Sequence, residues 1–118
     1  MRAINWGPTH SITELFSGCS VLDCSNHGGV IVSRETLHTH VYFEKLKLLD
    51  LSKFELESGD YAFEQDCDSS IVLALIPRDI LKSHYDYCST ESGYKEFQNS
   101  CLDIIKNFNP EIYSAIFE

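Results

Sequence analysis

Short apolar runs separated by turn-forming residues fill the first 32 residues, and this pattern constrains the fold most strongly. The apolar positions lie between Ile12 and Phe16, Cys19 and Leu22, and Val30 and Val32, with Ser17-Gly18 and Asn26-His27-Gly28-Gly29 separating them. Strands joined by tight turns have this composition. We therefore predict a three-stranded antiparallel meander over residues 1 to 32, in which Gly28 and Gly29 supply positive φ to a turn.

The end of the chain has the apolar spacing of a helix. Apolar residues recur at helical intervals from Tyr94 to Phe108, and Asn109-Pro110 interrupts them before a last short turn. The polar stretch Ser89 to Gly93 is expected to be a loop. The aromatic residues beside it would anchor a partner if exposed and would belong to the core if buried.

The middle of the chain is less clearly patterned. Residues 41 to 56 fit neither the helical nor the strand period, so both structures stay open there. Asp66 or Asp68 can cap a buried helix from about residue 67 to 76, although a buried strand is the alternative. The whole pattern predicts an α+β fold with an N-terminal antiparallel β-meander, a central buried helix and C-terminal helices.

Length and charge limit the classes of function. The 118 residues suit a single domain over residues 1–118, and a net charge of −9 disfavours direct binding to nucleic acid. The same charge favours a basic protein surface as partner, although it also serves solubility alone. Five cysteines without CxxC spacing, no leader and no membrane-length apolar run lead us to expect reduced thiols and a cytosolic location in the host cell.

Three pieces of the sequence form a recognisable set. They are Trp6-Gly7-Pro8, His27-Gly28-Gly29-Val30 with Val32-Ser33 and Glu35, and Glu64-Gln65-Asp66-Cys67-Asp68 running into Ile71 to Leu75. Taken in this order, they resemble an uncharacterised domain of unknown function found in phage, plasmid and other mobile-element proteins. The likeness covers about residues 6 to 77 and departs from the family pattern at Arg34, where proline is common, and at Ser69, where tryptophan is common. It implies a compact accessory protein of a mobile element and no particular activity. Such proteins often act against host defence, and anti-CRISPR inhibitors are similarly small and acidic, which is an analogy.

One pair of residues suggests catalysis. Cys67 in the first turn of a helix would have a lowered pKa, and His27 at a strand end would serve as its base. The order of histidine before cysteine resembles circularly permuted papain-like thiol hydrolases. Against this interpretation, Glu64, Asp66 and Asp68 surround the cysteine and disfavour a thiolate. The alternative is a buried structural cysteine.

Acidic residues cluster between positions 55 and 68 and alternate with apolar ones. If this stretch is extended, one face carries carboxylates that pair with arginine and lysine of a partner, and the alternative is an ordinary solvated strand. The candidate binding residues are Glu55, Glu57, Asp60, Tyr61, Glu64, Asp66 and Asp68.

Other chemistry has weaker support. His38 and His40 on alternate strand positions, with His10, His27 and nearby carboxylates, would make a metal site. This loose spacing favours solvated side chains, and we predict no metal and no cofactor. The glycine pair lacks the spacing of a phosphate-binding loop.

The leading hypothesis is a non-catalytic, anti-CRISPR-like interaction protein of a mobile element. Its expected partner is a host defence protein or nucleoprotein complex with a basic surface, and we expect neither direct nucleic-acid binding nor a membrane. A thiol-dependent hydrolase using Cys67 and His27 is the alternative. A homodimer packed through the C-terminal helix is a third possibility.

Overall fold

The computed structural model describes residues 6–118 and confirms the α+β class. The chain divides into two compact units, the first ending at Gln65 and the second covering Asp66–Glu118. The single domain over residues 1–118 stays a prediction. Within the described residues, no helix has both the length and the apolar character that a membrane span requires.

A four-stranded antiparallel sheet forms the framework of the first unit. Its strands follow in chain order across the sheet, and they are β1 Thr9–Phe16, β2 Cys19–Cys24, β3 Gly28–Val32 and β4 Tyr61–Glu64. The first three strands are the predicted meander. Because β1 pairs with β2 alone among the described strands, it forms an edge of the sheet.

The two faces of the sheet are covered differently, since side chains alternate between them. On one face the Phe63 ring stacks on Phe54, with centroids 4.7 Å apart, in the main core of the unit. On the opposite face a smaller cluster is buried, and it consists of Trp6, Cys24, Leu56 and Ala62. Leu22 and Ile31 pack against this cluster and are only partly buried. The second face is therefore apolar and incompletely covered.

The segment between β3 and β4 includes residues 41 to 56, for which the sequence left both helix and strand open. A short helix, α1 Arg34–Thr39, is followed by three 3₁₀ helices, which are Val41–Phe43, Leu46–Leu48 and Ser52–Phe54. The buried residues Phe43 and Leu46 lie three positions apart, as do Leu51 and Phe54. Three residues make one turn of a 3₁₀ helix, so this stretch matched neither the α-helical nor the strand period.

The second unit is helical. Its elements are α2 Ser69–Leu73, α3 Arg78–Leu81, a 3₁₀ helix at Asp86–Cys88, α4 Glu91–Phe108 and α5 Pro110–Ile116. The buried central helix is confirmed, although α2 is shorter than the predicted span from 67 to 76. The break at Asn109-Pro110 is also confirmed, because Pro110 opens α5.

The predicted loop from Ser89 to Gly93 is wrong from Glu91 onward. The Thr90 side chain accepts a hydrogen bond from the Gly93 N–H at 3.1 Å and so caps the first turn of α4. A threonine N-cap satisfies a backbone donor that a helix otherwise leaves without a partner. The polar character of this stretch therefore reflects a helix start.

Candidate functional site

The family-like sequence pieces that lie in the first unit meet at one end of its sheet. The Asn26 N–H donates to the Trp6 carbonyl oxygen at 2.9 Å, and the Gln65 N–H donates to the Gly28 carbonyl oxygen at 2.9 Å. The indole of Trp6 lies edge-on to the His27 ring, with centroids 6.2 Å apart. We name this region the His27 corner, and it consists of Trp6, His27, Gly28, Gly29, Glu64 and Gln65.

The glycine pair allows close packing at the His27 corner. Both glycines belong to β3, so the predicted turn at these positions is wrong. Gly29 has the predicted positive φ, 157°, whereas Gly28 is not among the glycines with positive φ. A Cβ atom on Gly29 would lie 2.2 Å from the Phe63 carbonyl oxygen and 2.7 Å from Cη2 of Trp6. Glycine is required here because β4 and the indole approach the β3 backbone too closely for any side chain.

The His27 imidazole has a carboxylate neighbour. Its Nε2 lies 3.5 Å from Oε2 of Glu64, and about a third of each side chain is exposed. A carboxylate beside an imidazole can orient the ring of a histidine base. This contact is the arrangement that the thiol-hydrolase alternative requires around its base. Cys67 belongs to the second unit, so its pairing with His27 stays a prediction.

The thiols differ in their access to solvent. Cys67 is partly exposed, whereas the other four cysteines are buried. Burial raises the pKa of Cys19 to about 12 and that of Cys101 to about 11, so both thiols stay protonated near neutral pH. Cys67 precedes Asp68, the N-cap of α2, and the expected place in the first helical turn is wrong. The helix-dipole argument for a lowered pKa therefore no longer applies.

The predicted alternation of carboxylate and apolar faces over residues 55 to 68 is wrong in β4. Tyr61, Ala62 and Phe63 are all buried, because both faces of the sheet are covered there. Tyr61 is only 4% exposed, and its hydroxyl lies 3.1 Å from Nε2 of His38. It is a core residue of the first unit and does not present a binding surface.

The remaining acidic candidates are dispersed. In the first unit Glu55 lies 3.6 Å from the Arg34 guanidinium, Asp60 accepts a hydrogen bond from the Arg34 N–H, and Glu57 is exposed. In the second unit Asp66 is exposed and Asp68 accepts a hydrogen bond from the buried Asn109 side chain at 3.2 Å. Each unit contains nine acidic residues in its sequence, with five basic residues in the first unit and four in the second. The negative charge is therefore shared between the units.

The histidines of the weak metal hypothesis have other partners. His38 lies in α1 and His40 follows it, so the expected alternate strand positions are wrong. Nδ1 of His40 accepts a hydrogen bond from the Tyr42 N–H at 3.2 Å, and Nε2 of His10 lies 2.8 Å from the Ser25 hydroxyl. These contacts hold the rings within local structure.

An aromatic patch in the second unit is the most exposed apolar feature near the predicted loop. The ring of Tyr87 lies 5.4 Å from that of Tyr85 and 5.1 Å from that of Phe97, and Tyr87 is 51% exposed. Tyr87, Phe97 and Glu96 line a shallow groove of about 290 Å³. Gly93 and Ser100 complete the lining of the groove. We name the region formed by these five residues the Tyr87 patch.

The chemistry of the Tyr87 patch suits a cationic partner. Burial, with a smaller contribution from Tyr85, raises the pKa of Tyr87 to about 12, and the neutral phenol can donate a hydrogen bond. An aromatic face beside a carboxylate, here that of Glu96, attracts arginine and lysine side chains. The aromatic residues in the sequence indicated a possible interface in this region, but only the structure shows that Tyr87 is exposed.

Comparison with known proteins places the chain in a family. No curated protein and no solved structure matches it. A family model, described as a domain of unknown function (DUF7007), matches residues 2–118. The resemblance to a domain of unknown function is therefore confirmed, and the match extends beyond residues 6 to 77. The chain belongs to this family, the domain of unknown function DUF7007.

Proposed function

We propose that this protein is a non-catalytic interaction protein that binds a basic protein surface through the Tyr87 patch. The observation that carries the proposal is the half-exposed Tyr87 ring, supported by Tyr85 and Phe97 above a groove with Glu96 on its lining. Tyrosine is one of the residue types enriched among the few side chains that dominate binding energy at interfaces. Their position on a helical unit limits the entropy lost on binding.

The net charge supports a basic partner. With a formal charge of −9 shared by both units, the protein attracts a positively charged surface from a distance and repels nucleic acid. A groove that normally holds nucleic acid is such a surface. The charge thus speeds encounter, and the aromatic contacts of the Tyr87 patch determine how long the complex lasts.

The finer form of the proposal concerns the biological setting. The resemblance to mobile-element proteins and the small acidic chain support a partner in host defence, either a protein or a nucleoprotein complex, which this protein inhibits in the manner of an anti-CRISPR protein. The inhibition requires no catalysis, because occupation of a basic groove excludes its nucleic acid. The cytosol of the host cell is the corresponding location.

Capture from host lysate with matched variants tests this proposal. The purified protein is immobilised, and bound proteins are identified at low salt for wild type, Tyr87→Ala and Phe108→Ala. Phe108 is a suitable control because it is also an exposed aromatic residue of the second unit, 63% exposed on α4. We expect Tyr87→Ala to lose at least about tenfold in affinity, as for an interface hot spot, and Phe108→Ala to bind normally.

A charge reversal provides a second test of the Tyr87 patch. Glu96→Lys should weaken capture more than Asp103→Lys, since both residues are exposed on α4 but only Glu96 lines the groove. Recovery of no defence component by wild type would contradict the function. Equal recovery by Tyr87→Ala and wild type would contradict the assignment to the Tyr87 patch.

A second candidate is the thiol-dependent hydrolase, favoured by the Glu64 carboxylate beside His27. In this proposal His27 removes the proton of Cys67 and Glu64 orients the ring. The test is alkylation of Cys67 by iodoacetamide as a function of pH. Slower alkylation in His27→Gln than in His10→Gln would support the pair, and an inert Cys67 in the folded wild-type protein would exclude it.

A further inference from the structure

The free edge of the sheet in the first unit has the properties of a site for strand addition. Strand β1 runs from Thr9 to Phe16 and pairs with β2 alone among the described strands. Natural edge strands are commonly protected from pairing by lysine or proline. β1 contains neither of these residues, and its first six residues are exposed.

The middle of β1 is regular enough to accept a partner strand. Register irregularities occur between Thr9 and Ser11 and between Glu14 and Phe16, whereas the pairs from Ser11 to Glu14 are in continuous register with β2. The bulges bend the ends of the edge. The regular stretch presents backbone donors and acceptors to an incoming extended chain.

An apolar groove lies beside this edge. It is a shallow depression of about 300 Å³ on the incompletely covered face of the sheet, and Ile12, Leu22 and Ile31 contribute its apolar lining. Ile12 is 65% exposed, and Leu22 and Ile31 are only partly buried. We name this depression the β1 groove. A strand added along β1 would place every second side chain on this face of the sheet, next to Ile12 at the border of the groove.

The charge around the β1 groove selects the chemistry of the occupant. Asp60 lines the groove, and Glu14 lies on the same face of β1 as Ile12, two residues further along the strand. Arg34 follows Ser33 of the groove lining, and its guanidinium lies 3.6 Å from Glu55. The carboxylates of Asp60 and Glu14 therefore favour a cationic occupant. A second copy of this chain, with the same charge of −9, is disfavoured as occupant.

We propose that β1 binds an extended basic segment of a partner protein as an added antiparallel or parallel strand. On the side that faces the β1 groove, an apolar residue packs against Ile12, and a lysine or arginine two positions away pairs with Glu14. This inference does not depend on the Tyr87 patch, which belongs to the second unit.

Titration with a designed peptide tests the inference. The probe is a capped, fluorescently labelled peptide as long as β1, in which isoleucine and lysine alternate along one face and threonine occupies the positions between them. Its anisotropy is followed as the full chain is added. Two control peptides have glutamate in place of lysine, or N-methyl groups on every second amide, which remove the hydrogen bonds of one strand edge. We expect binding of the basic peptide only, with new amide protection from hydrogen exchange in Ser11 to Glu14.

Matched variants locate the site. Ile12→Lys and Glu14→Lys should each weaken binding at least tenfold, whereas Val41→Lys and Glu44→Lys should change it less than twofold. The controls are exposed residues of the same unit and carry the same change in charge. Tyr87→Ala should bind the peptide normally, so a failure of this inference is distinguishable from a failure of the proposed function.

Several outcomes would overturn the inference. They are no binding at millimolar peptide, equal binding of the N-methylated peptide, and equal losses in Ile12→Lys and Val41→Lys. A wild-type dimer in sedimentation that Ile12→Lys converts to monomer would assign the edge to a second copy and would also overturn it.

Discussion

Substitution of Gly29 by alanine tests the packing at the His27 corner. The new Cβ would lie 2.2 Å from the Phe63 carbonyl oxygen, and an ordinary contact begins near 3.4 Å, so β3 and β4 must separate by about 1.2 Å. The adjacent bond from the Gln65 N–H to the Gly28 carbonyl, 2.9 Å long, would then exceed hydrogen-bonding distance. Overpacking with the loss of one or two hydrogen bonds lowers the free energy of unfolding by about 3 kcal/mol.

Trp6 provides the assay, because it is the only tryptophan and lies against Gly29. Urea denaturation followed by its fluorescence should give the loss of about 3 kcal/mol, and thermal denaturation should show a fall in Tm on the order of 10 °C. The control is Gly59→Ala, where φ is +94° and the nearest atom to a new Cβ is 3.6 Å away. Backbone strain alone should cost that variant about 1 kcal/mol. A Gly29→Ala protein as stable as wild type, or no less stable than Gly59→Ala, would refute the close-packing argument.

Two further predictions concern stability. Because burial raises the pKa of Cys19 to about 12 and that of Cys101 to about 11 from 9.0, the folded state favours the neutral thiols. Their stabilisation is complete below pH 9 and is lost progressively as the pH rises from 9, up to about 11 for Cys101 and about 12 for Cys19. For Cys19 the loss reaches about 4 kcal/mol, as 1.36 kcal/mol per pKa unit implies. Urea denaturation at several pH values, with reductant, measures it, and a curve that is flat from pH 8 to about 11 would contradict it. Thr90→Ala should lower the free energy of unfolding by about 1 kcal/mol through the lost cap of α4. The control Ser92→Ala, at an exposed position of the same helix, should change it by less than about 0.5 kcal/mol. Equal stabilities of the Thr90→Ala and wild-type proteins would show that the cap contributes nothing.

Local sequence patterns predicted the elements that are stabilised by local contacts. The three strands of the meander alternate short apolar runs with turns, and α4 shows helical periodicity over five turns, so both were predicted with their order. The extent of α2 was overestimated, because an apolar run has no signal for where a buried helix ends. The 3₁₀ helices between residues 41 and 54 were missed as such, since their period of three falls between the two usual templates.

The candidate sites depended more on long-range packing. The importance of the His-Gly-Gly piece was visible in the sequence, but its reason is the approach of Phe63 and Trp6 to Gly29. Tyr61 was predicted among the binding residues of the stretch from 55 to 68, and it is buried because β4 is covered on both faces. The Glu64 neighbour of His27 and the groove beside Ile12 had no sequence signal, since each joins residues that are distant in the chain.

The sequence by itself determined the α+β class, the order of the main strands and helices, and the negative charge. These properties follow from composition and from periods that a few neighbouring residues define. Only the tertiary structure decided which side chains are exposed, which strand forms the free edge and which acidic residues have cationic neighbours. Those properties arise when segments distant in the chain compete for the same buried surface, and no local pattern records the outcome of that competition.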